Sequence, residues 1–459
     1  MHLPPSLFWF RRDLRLIDNP ALVAAADGRP VVGLFVIDDA LYGPSGDNRR
    51  AFLRRCLDAL DADMGGSLVV RWGDPAEIVP EVAAEVDAGQ VYATGDHGPY
   101  GMARDERVAA ALAPSGRSFI AVDSPYAVPP GSVATGSGTP FKVFTPYYRV
   151  WQTVPAVAPV AVPEVDWVTD LASDELPPEP EVIAELPEAG EAAAAADLDA
   201  FLADRVDAYD DQRDRPGVDG TSRLSTHLKW GTIHPRQILD RLGPSVGQES
   251  FRRQLAWRDF YGTVLNAWPG SARDNFVPKM DALTWDTGSE ADERFAAWCE
   301  GRTGYPIVDA GMRQLRATGW MHNRVRMITA SFLVKDLHID WRRGARWFMD
   351  QLVDGDLAAN QHGWQWTAGT GTDASPFFRV FNPVSQGRKF DPDGAYVRRW
   401  VPEIAHLGDK HLHEPWSDPH GAPAAYPPPL VDHGVERLEA LARYDVVKAT
   451  ASGATAAAG

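Results

Sequence analysis

Apolar residues follow two different rhythms along this chain. Through the first third, short runs rich in β-branched and aromatic residues, at 6–10, 31–37, 67–72, 90–94 and 118–122, alternate with Ala/Leu/Arg segments of helical period. That alternation predicts an α/β N-terminal domain, doubly wound around a mostly parallel sheet. From 197 to about 447 the helical period takes over, which predicts an all-α C-terminal domain. Between them, 131–146 is rich in Gly, Ser and Thr, yet the run 141–148 carries Phe141, Phe144, Tyr147 and Tyr148, so an ordered connector packed on both domains is expected. Residues 155–196 are mainly Pro, Glu and Ala, with few large apolar groups to bury, and are expected to wrap the surface or be partly mobile. The expected division is 1–130 (α/β), 131–198 (connector), 199–447 (helical) and 448–459, a small-residue tail without structure.

Within the helical part the period brings particular side chains together. Met321, Val325, Ile328 and Phe332 recur at helical spacing and predict a buried face, which leaves Asn323 and Met327, one turn apart, on another. Gln254, Trp257, Arg258 and Tyr261 share one face of a helix over 251–265. Trp364 and Trp366, if helical, lie about 200° apart around the axis and serve two different pockets. Taken singly, each tryptophan is more simply explained as core packing, and Trp257 with Tyr261 as helix core. Asp219-Gly220 supplies a turn that places Thr221 to cap a following helix; with the hydroxyls beside it and Arg223, the free N–H groups there suit a pyrophosphate. The simpler reading of that stretch alone is an ordinary capped helix start. Asp354 and Asp356 likewise have a purely structural reading, as ion-pair partners of Arg324 and Arg326.

Composition narrows the function. A length of 459 residues allows two or three domains with ample cores. The net charge of -18 argues against a surface coated for nucleic acid, but much of the acid lies in 164–210 and leaves room for a local basic patch. Cys56 and Cys299 are the only cysteines, in no metal-ligand spacing, so neither a disulfide framework nor a metal site is expected. The opening residues build no signal peptide and no apolar run is long enough to span a bilayer, so a cytoplasmic protein without membrane contact is expected. The first strand is followed by Arg11-Arg12-Asp13-Leu14-Arg15 and not by a Gly-rich dinucleotide fingerprint, which disfavours a nicotinamide-binding role.

A longer ordered signature then stands out: Thr-Gly-Tyr-Pro-Ile-Val-Asp at 303–309, Gly-Trp-Met-His-Asn-Arg-Val-Arg-Met-Ile at 319–328, Asp-Gly-Asp-Leu-Ala-Ala-Asn at 354–360, then Gly-Trp-Gln-Trp and Thr-Gly-Thr-Asp. With Trp9-Phe-Arg-Arg-Asp-Leu-Arg-Leu near the start, the chain resembles the photolyase/cryptochrome family from Phe8 to about Trp416, specifically class I photolyases of cyclobutane pyrimidine dimers. The resemblance implies FAD in the helical domain, held by Tyr209, Thr221, Ser222, Arg223, Leu224 and Ser225 and by Arg326, Asp354, Gly355, Asp356 and Asn360. It implies Asn360 opposite flavin N5, where a neutral amide accepts a hydrogen bond and the protein tunes the cofactor. It implies a tryptophan relay, Trp364, Trp341 and Trp285, that reduces photoexcited flavin.

For the substrate, UV-damaged DNA, the resemblance implies Trp257 and Trp366 as walls around a flipped-out dimer, with Gln254, Arg258, Tyr261, Asn323 and Met327 beside it. Arg213, Arg324 and Gln386 match DNA-contact positions. One residue departs from the pattern: Gln254 stands where dimer photolyases usually have glutamate. Glutamine is usual in 6-4 photolyases and animal cryptochromes, whereas Asn323 is the dimer-photolyase residue. A second, light-harvesting pigment is implied in the α/β domain. Gly101 stands where folate-binding members carry glutamate, so a deazaflavin, or an empty pocket, is favoured over methenyltetrahydrofolate. A monomer with no obligate protein partner is expected. The other readings are a cryptochrome-like photoreceptor, a 6-4 photolyase or a DNA-binding module whose chemistry has lapsed.

Overall fold

The computed structural model describes every residue except 1, 2, 375, 378, 458 and 459, and side chains as far as 449. Five strands form one sheet: β1 (Ser6–Phe10), β2 (Val31–Ile37), β3 (Leu68–Trp72), β4 (Gln90–Thr94) and β5 (Ser118–Val122). Their order is β3-β2-β1-β4-β5 and every pairing is parallel. The central strands are buried on both faces, as their unbroken apolar runs require. Strand order reverses between β1 and β4, and a crevice opens at their carboxyl ends. That is where a sheet of this topology takes ligands.

The Pro/Glu/Ala stretch is ordered by the sheet. Its backbone joins the start of β2, with Val168 N–H donating to Val31 O at 3.0 Å, and then covers β3, with Asp174 N–H donating to Val70 O at 2.9 Å. An edge strand is thereby blunted by a segment that buries little of its own. The connector also forms a helix, α1 (Phe144–Trp151), whose Phe144, Tyr147, Tyr148 and Trp151 join one apolar cluster with Ala256, Phe260 and Val264 of α2 (Val246–Ala267). Asp259 of α2 clamps this packing by accepting from Trp151 Nε1 and Val128 N, both at 2.9 Å. The connector's aromatic part therefore packs on the helical region.

The largest core runs from Trp298 to Val431. Inside it lie α3 (Asn323–Lys335), α4 (Trp341–Gln351) and α5 (Leu357–Ala368), each capped by the side chain just before it: His322, Asp340 and Asp356. Val325, Ile328 and Phe332 face this core, and Met321 joins them from the turn ahead of α3. The last helix, α6 (His433–Ala457), continues through the region where a tail was expected; the side chains from 450 onward lie outside the described residues.

Candidate functional site

Helices α2 to α5 surround a cavity of ≈ 490 Å³, within the size range of cofactor pockets. Gln254, Trp257 and Tyr261 reach it from α2, and Asn323, Arg324, Arg326 and Met327 from α3. The turn Asp354-Gly355-Asp356 and Asn360, Trp364 and Trp366 of α5 close it, with Arg213 at another edge. Trp364 and Trp366 were expected to serve separate pockets. The cavity instead follows α5 around, so rings on two sides of one helix border one space.

The polar groups are held back against the walls. Asn360 donates its amide N–H groups to Ala345 O and Gln361 Oε1, both at 3.0 Å, which leaves its carbonyl oxygen as the group offered to the cavity. Gln254 is oriented the same way by its Nε2, 3.3 Å from Ser250 O. Arg326 donates to Met321 O and pairs with Asp354, both at 2.8 Å. The other Asp354 oxygen, Oδ1, is buried without a partner. Arg324 pairs with Asp214 at 2.7 Å and lies over Phe390. Asp356 takes neither of the arginines considered from sequence: its partner is Arg12 of the other domain, at 2.6 Å. Burial pushes the Asp356 carboxyl up, but Arg12 and Lys229 outweigh it and hold the group below the usual carboxylate range.

Aromatic contacts set the walls. Trp257 stacks on Phe144 with centroids 3.7 Å apart and planes 7° apart, and Tyr261 stacks on His362 at 5.5 Å. Trp364 meets Phe348 at 4.9 Å and Trp298 at 6.1 Å. Its ring lies directly on α4: a Cβ on Gly344 would stand 2.2 Å from Trp364 Cη2. Trp341, one turn before Gly344, is fully buried and donates its indole N–H to Asn275 Oδ1 at 2.9 Å. Trp285 is half-buried, and the next residue, Asp286, donates its N–H to His338 O at 2.9 Å, three residues before Trp341.

Several expected residues lie elsewhere. Arg258 does not line the cavity, because its guanidinium donates to Pro125 O at 2.8 Å and Leu228 O at 3.0 Å and covers Tyr126, bracing the domains together. Tyr209 is in the core, edge-on to Phe201 and Phe251. Thr221 caps no helix. Arg223 has a left-handed φ of 55°, so the helix begins only at Ser225, with Leu224 before it. Residues 221–224 form a loop outside the cavity lining, and Trp320, just ahead of α3, donates its Nε1–H to Ser225 Oγ at 3.2 Å at the start of the helix that follows. Gln386 lies outside the lining on the helix Pro383–Phe390. The structure adds Asp214, Phe348, Arg379 and Phe381 to the lining. Phe348 falls on the helical stripe of Trp341, Gly344 and Ala345, which could have pointed to it; Asp214, Arg379 and Phe381 carry no such signal.

The crevice beside β1 and β4 differs. It measures ≈ 10 Å³ and is lined by Arg11, Arg12, Thr94, Gly95, Asp96 and Pro125. Arg11 pairs with Asp105 at 2.5 Å, and Arg104 with Asp96 at 3.3 Å. Asp96 is partly buried, which pushes its carboxyl up, yet Arg12 and Arg104 draw it down to about 2. Gly101 faces that carboxylate so closely that a Cβ would stand 2.1 Å from it. Among the described residues no cluster of His, Cys, Asp and Glu could hold a metal ion, and no helix is long and apolar enough to cross a membrane.

Residues 6–165 match the DNA photolyase family model, and 251–446 match the FAD binding domain of DNA photolyase. The chain belongs to the DNA photolyase family. It is 45% identical to the deoxyribodipyrimidine photo-lyase of Streptomyces griseus, over 95% of this chain and 97% of that protein. The crystal structure of a class III photolyase from Agrobacterium tumefaciens superposes with a TM-score of 0.92 at 39% identity, covering 98% of each chain. The cryptochrome of Synechocystis sp. PCC6803 superposes at 0.88 and 27% identity, over 97% of this chain and 99% of that one. The photolyase cavity lies within the FAD-binding match from α2 onward, and its residues fit such a cofactor. The unpartnered Asp354 Oδ1 awaits a donor, and the Asn360 carbonyl faces the space from a fixed amide.

Proposed function

We propose that this protein is a class I photolyase that splits cyclobutane pyrimidine dimers in DNA under light. The observation that carries the reading is one continuous cavity bordered both by the fixed Asn360 carbonyl and Asp354 and by the rings of Trp257 and Trp366 with Gln254 and Asn323. Bound there, FAD supplies the photoexcited electron donor. Asp354, Asp356 and Arg326 would hold it, with residues 221–225 serving its phosphates. Trp257 and Trp366 take a flipped-out dimer between them, and the dimer leaves the duplex at low cost because it is already poorly stacked. Asn323, with its amide 4.0 Å from Met327 Sδ, and the carbonyl end of Gln254 hydrogen-bond the pyrimidine edges. Arg213 and Arg324 contact the flanking phosphates.

The test is conversion of an oligonucleotide bearing one thymine dimer, with reduced, FAD-loaded protein, under blue light and in darkness. Restoration in light alone is expected. No restoration with FAD bound would shift the reading to a photoreceptor, which Gln254 and the cryptochrome likeness favour, or to a 6-4 lesion. For a second pigment, a deazaflavin is preferred to a folate because Asp96 packs against Gly101 and leaves no room for a glutamate. As they stand, the side chains of the ≈ 10 Å³ crevice do not fit either pigment, so Arg11 and Arg12 would have to swing out. The absorbance of the purified protein decides.

A further inference from the structure

We propose that Asn275 keeps the indole proton on Trp341 while an electron hole crosses that ring, so that the hole moves on instead of being trapped. The proposal rests on the reading of Trp364, Trp341 and Trp285 as a relay. Trp341 is fully buried, and its N–H donates to Asn275 Oδ1 at 2.9 Å. Asn275 Nδ2 in turn donates to Asp281 Oδ1 at 2.6 Å. These two partners fix the amide orientation, because an indole only donates and a carboxylate only accepts.

The chemistry at this bond depends on what the partner can take. An indole that has lost one electron becomes strongly acidic at nitrogen, and its proton leaves if a base is in reach. A carboxamide oxygen accepts a hydrogen bond but is protonated only in strong acid. Asn275 is 7% exposed and occupies the indole N–H, which bars water from that position. Asp281, the nearest base along this path, is exposed and stands behind the amide. In the relay, Trp364 gives one electron to photoexcited, oxidised flavin and takes one from Trp341. Trp341 then takes one from Trp285, and no bond at Trp341 breaks. The guanidinium of Arg342, 5.0 Å from the Trp341 ring centroid, further disfavours a lingering positive charge. Asn275 lies outside the cavity lining and acts through Trp341; it is a positioning residue.

Flash photolysis of the FAD-loaded, oxidised protein reads the protonation form of the tryptophan radical from its spectrum. Trp285→Phe stops the hole on Trp341. There the radical cation is expected, decaying at the same rate in light and heavy water. Adding Asn275→Asp offers a carboxylate; the N–H bond breaks, an O–H bond forms, and the neutral-radical spectrum with a longer lifetime replaces that of the cation. A neutral radical in Trp285→Phe alone overturns the proposal even where the double variant fails to fold, and so does a cation in both proteins. Trp341→Phe tests the relay separately: loss of light-driven flavin reduction is expected. Unchanged reduction would sink the relay reading and the proposal with it. In the apoprotein, slow hydrogen exchange at the Trp341 indole is expected to be lost in Asn275→Ala; fast exchange in the unsubstituted chain would remove the bond on which the idea stands.

Discussion

The cavity among the helices and the crevice at the end of the sheet are built from the same materials, arginines and aspartates among aromatic rings. Yet one measures ≈ 490 Å³ and the other ≈ 10 Å³. The difference lies in what the charges face. In the crevice the lining groups Arg11 and Asp96 are held by partners outside the lining, Asp105 and Arg104, and almost no space is left between the side chains. In the cavity the charges pair along the wall, Arg326 with Asp354 and Arg324 with Asp214, and Arg326 and Asn360 are also tied back to Met321 O and Ala345 O, so the space in front of them stays open.

One pair belongs to both regions: Arg12 lines the crevice, and its partner Asp356 lines the cavity. Asp356→Ala is the sharpest way to break the contrast. It strands a largely buried guanidinium and removes the cap that accepts from Ala359 N at 3.0 Å. A loss of about 3 kcal/mol in denaturant unfolding is expected, with FAD retained poorly. An unchanged midpoint would mean that the two regions are not mechanically joined there.

Acid should act on the cavity side through His362 and His322. Burial pushes both imidazoles down to about 4. A histidine whose folded value is depressed stabilises the fold fully only above its ordinary value of 6.5, and that stability is lost as pH falls toward 4. Between neutral pH and pH ~5.5 each costs about 1 kcal/mol. Raised carboxylates such as Asp259, which burial lifts to about 6, act in the opposite sense. The informative quantity is therefore a difference: His362→Gln should flatten the stability-versus-pH curve by about 1 kcal/mol over that interval. Parallel curves for the two proteins would exclude this origin.

On the cavity's aromatic wall, Trp257→Ala removes a ring that stacking on Phe144 holds ready. A rise of roughly tenfold in the dissociation constant for dimer-bearing DNA is expected, with little change for undamaged DNA. An equal change for both would make Trp257 a packing residue. The smallest effect concerns Gln254→Glu, which should raise the repair yield by a factor of a few, because a carboxyl can supply the proton or charge that an amide cannot. Equal yields would remove that idea.

How far the sequence reached depended on whether a feature was local. The runs of apolar residues located all five strands, with β3 beginning at Leu68 where 67 was expected, because each strand is a short-range pattern. The same holds for Gln254, Trp257 and Tyr261, which a helical period alone turns to one side. Arg258 belongs to that stripe too, but its direction was decided by Pro125 and Leu228, carbonyls more than a helix away in sequence. Thr221 misled for a backbone reason: nothing in the sequence marks Arg223 for a left-handed φ that delays the helix. The Arg12–Asp356 pair was illegible because its partners lie 344 positions apart and each has nearer residues of opposite charge.

That separation has a consequence for how the molecule is made. During synthesis the sheet emerges first and can close early, since all its strands lie before residue 123, while the guanidinium of Arg12 waits for almost three quarters of the chain before its counter-ion exists. The cavity's floor is thus among the last things to form. Until then Arg12 is a lone charge on the sheet domain, and the cavity lacks the wall that Asp354, Asp356 and α5 supply.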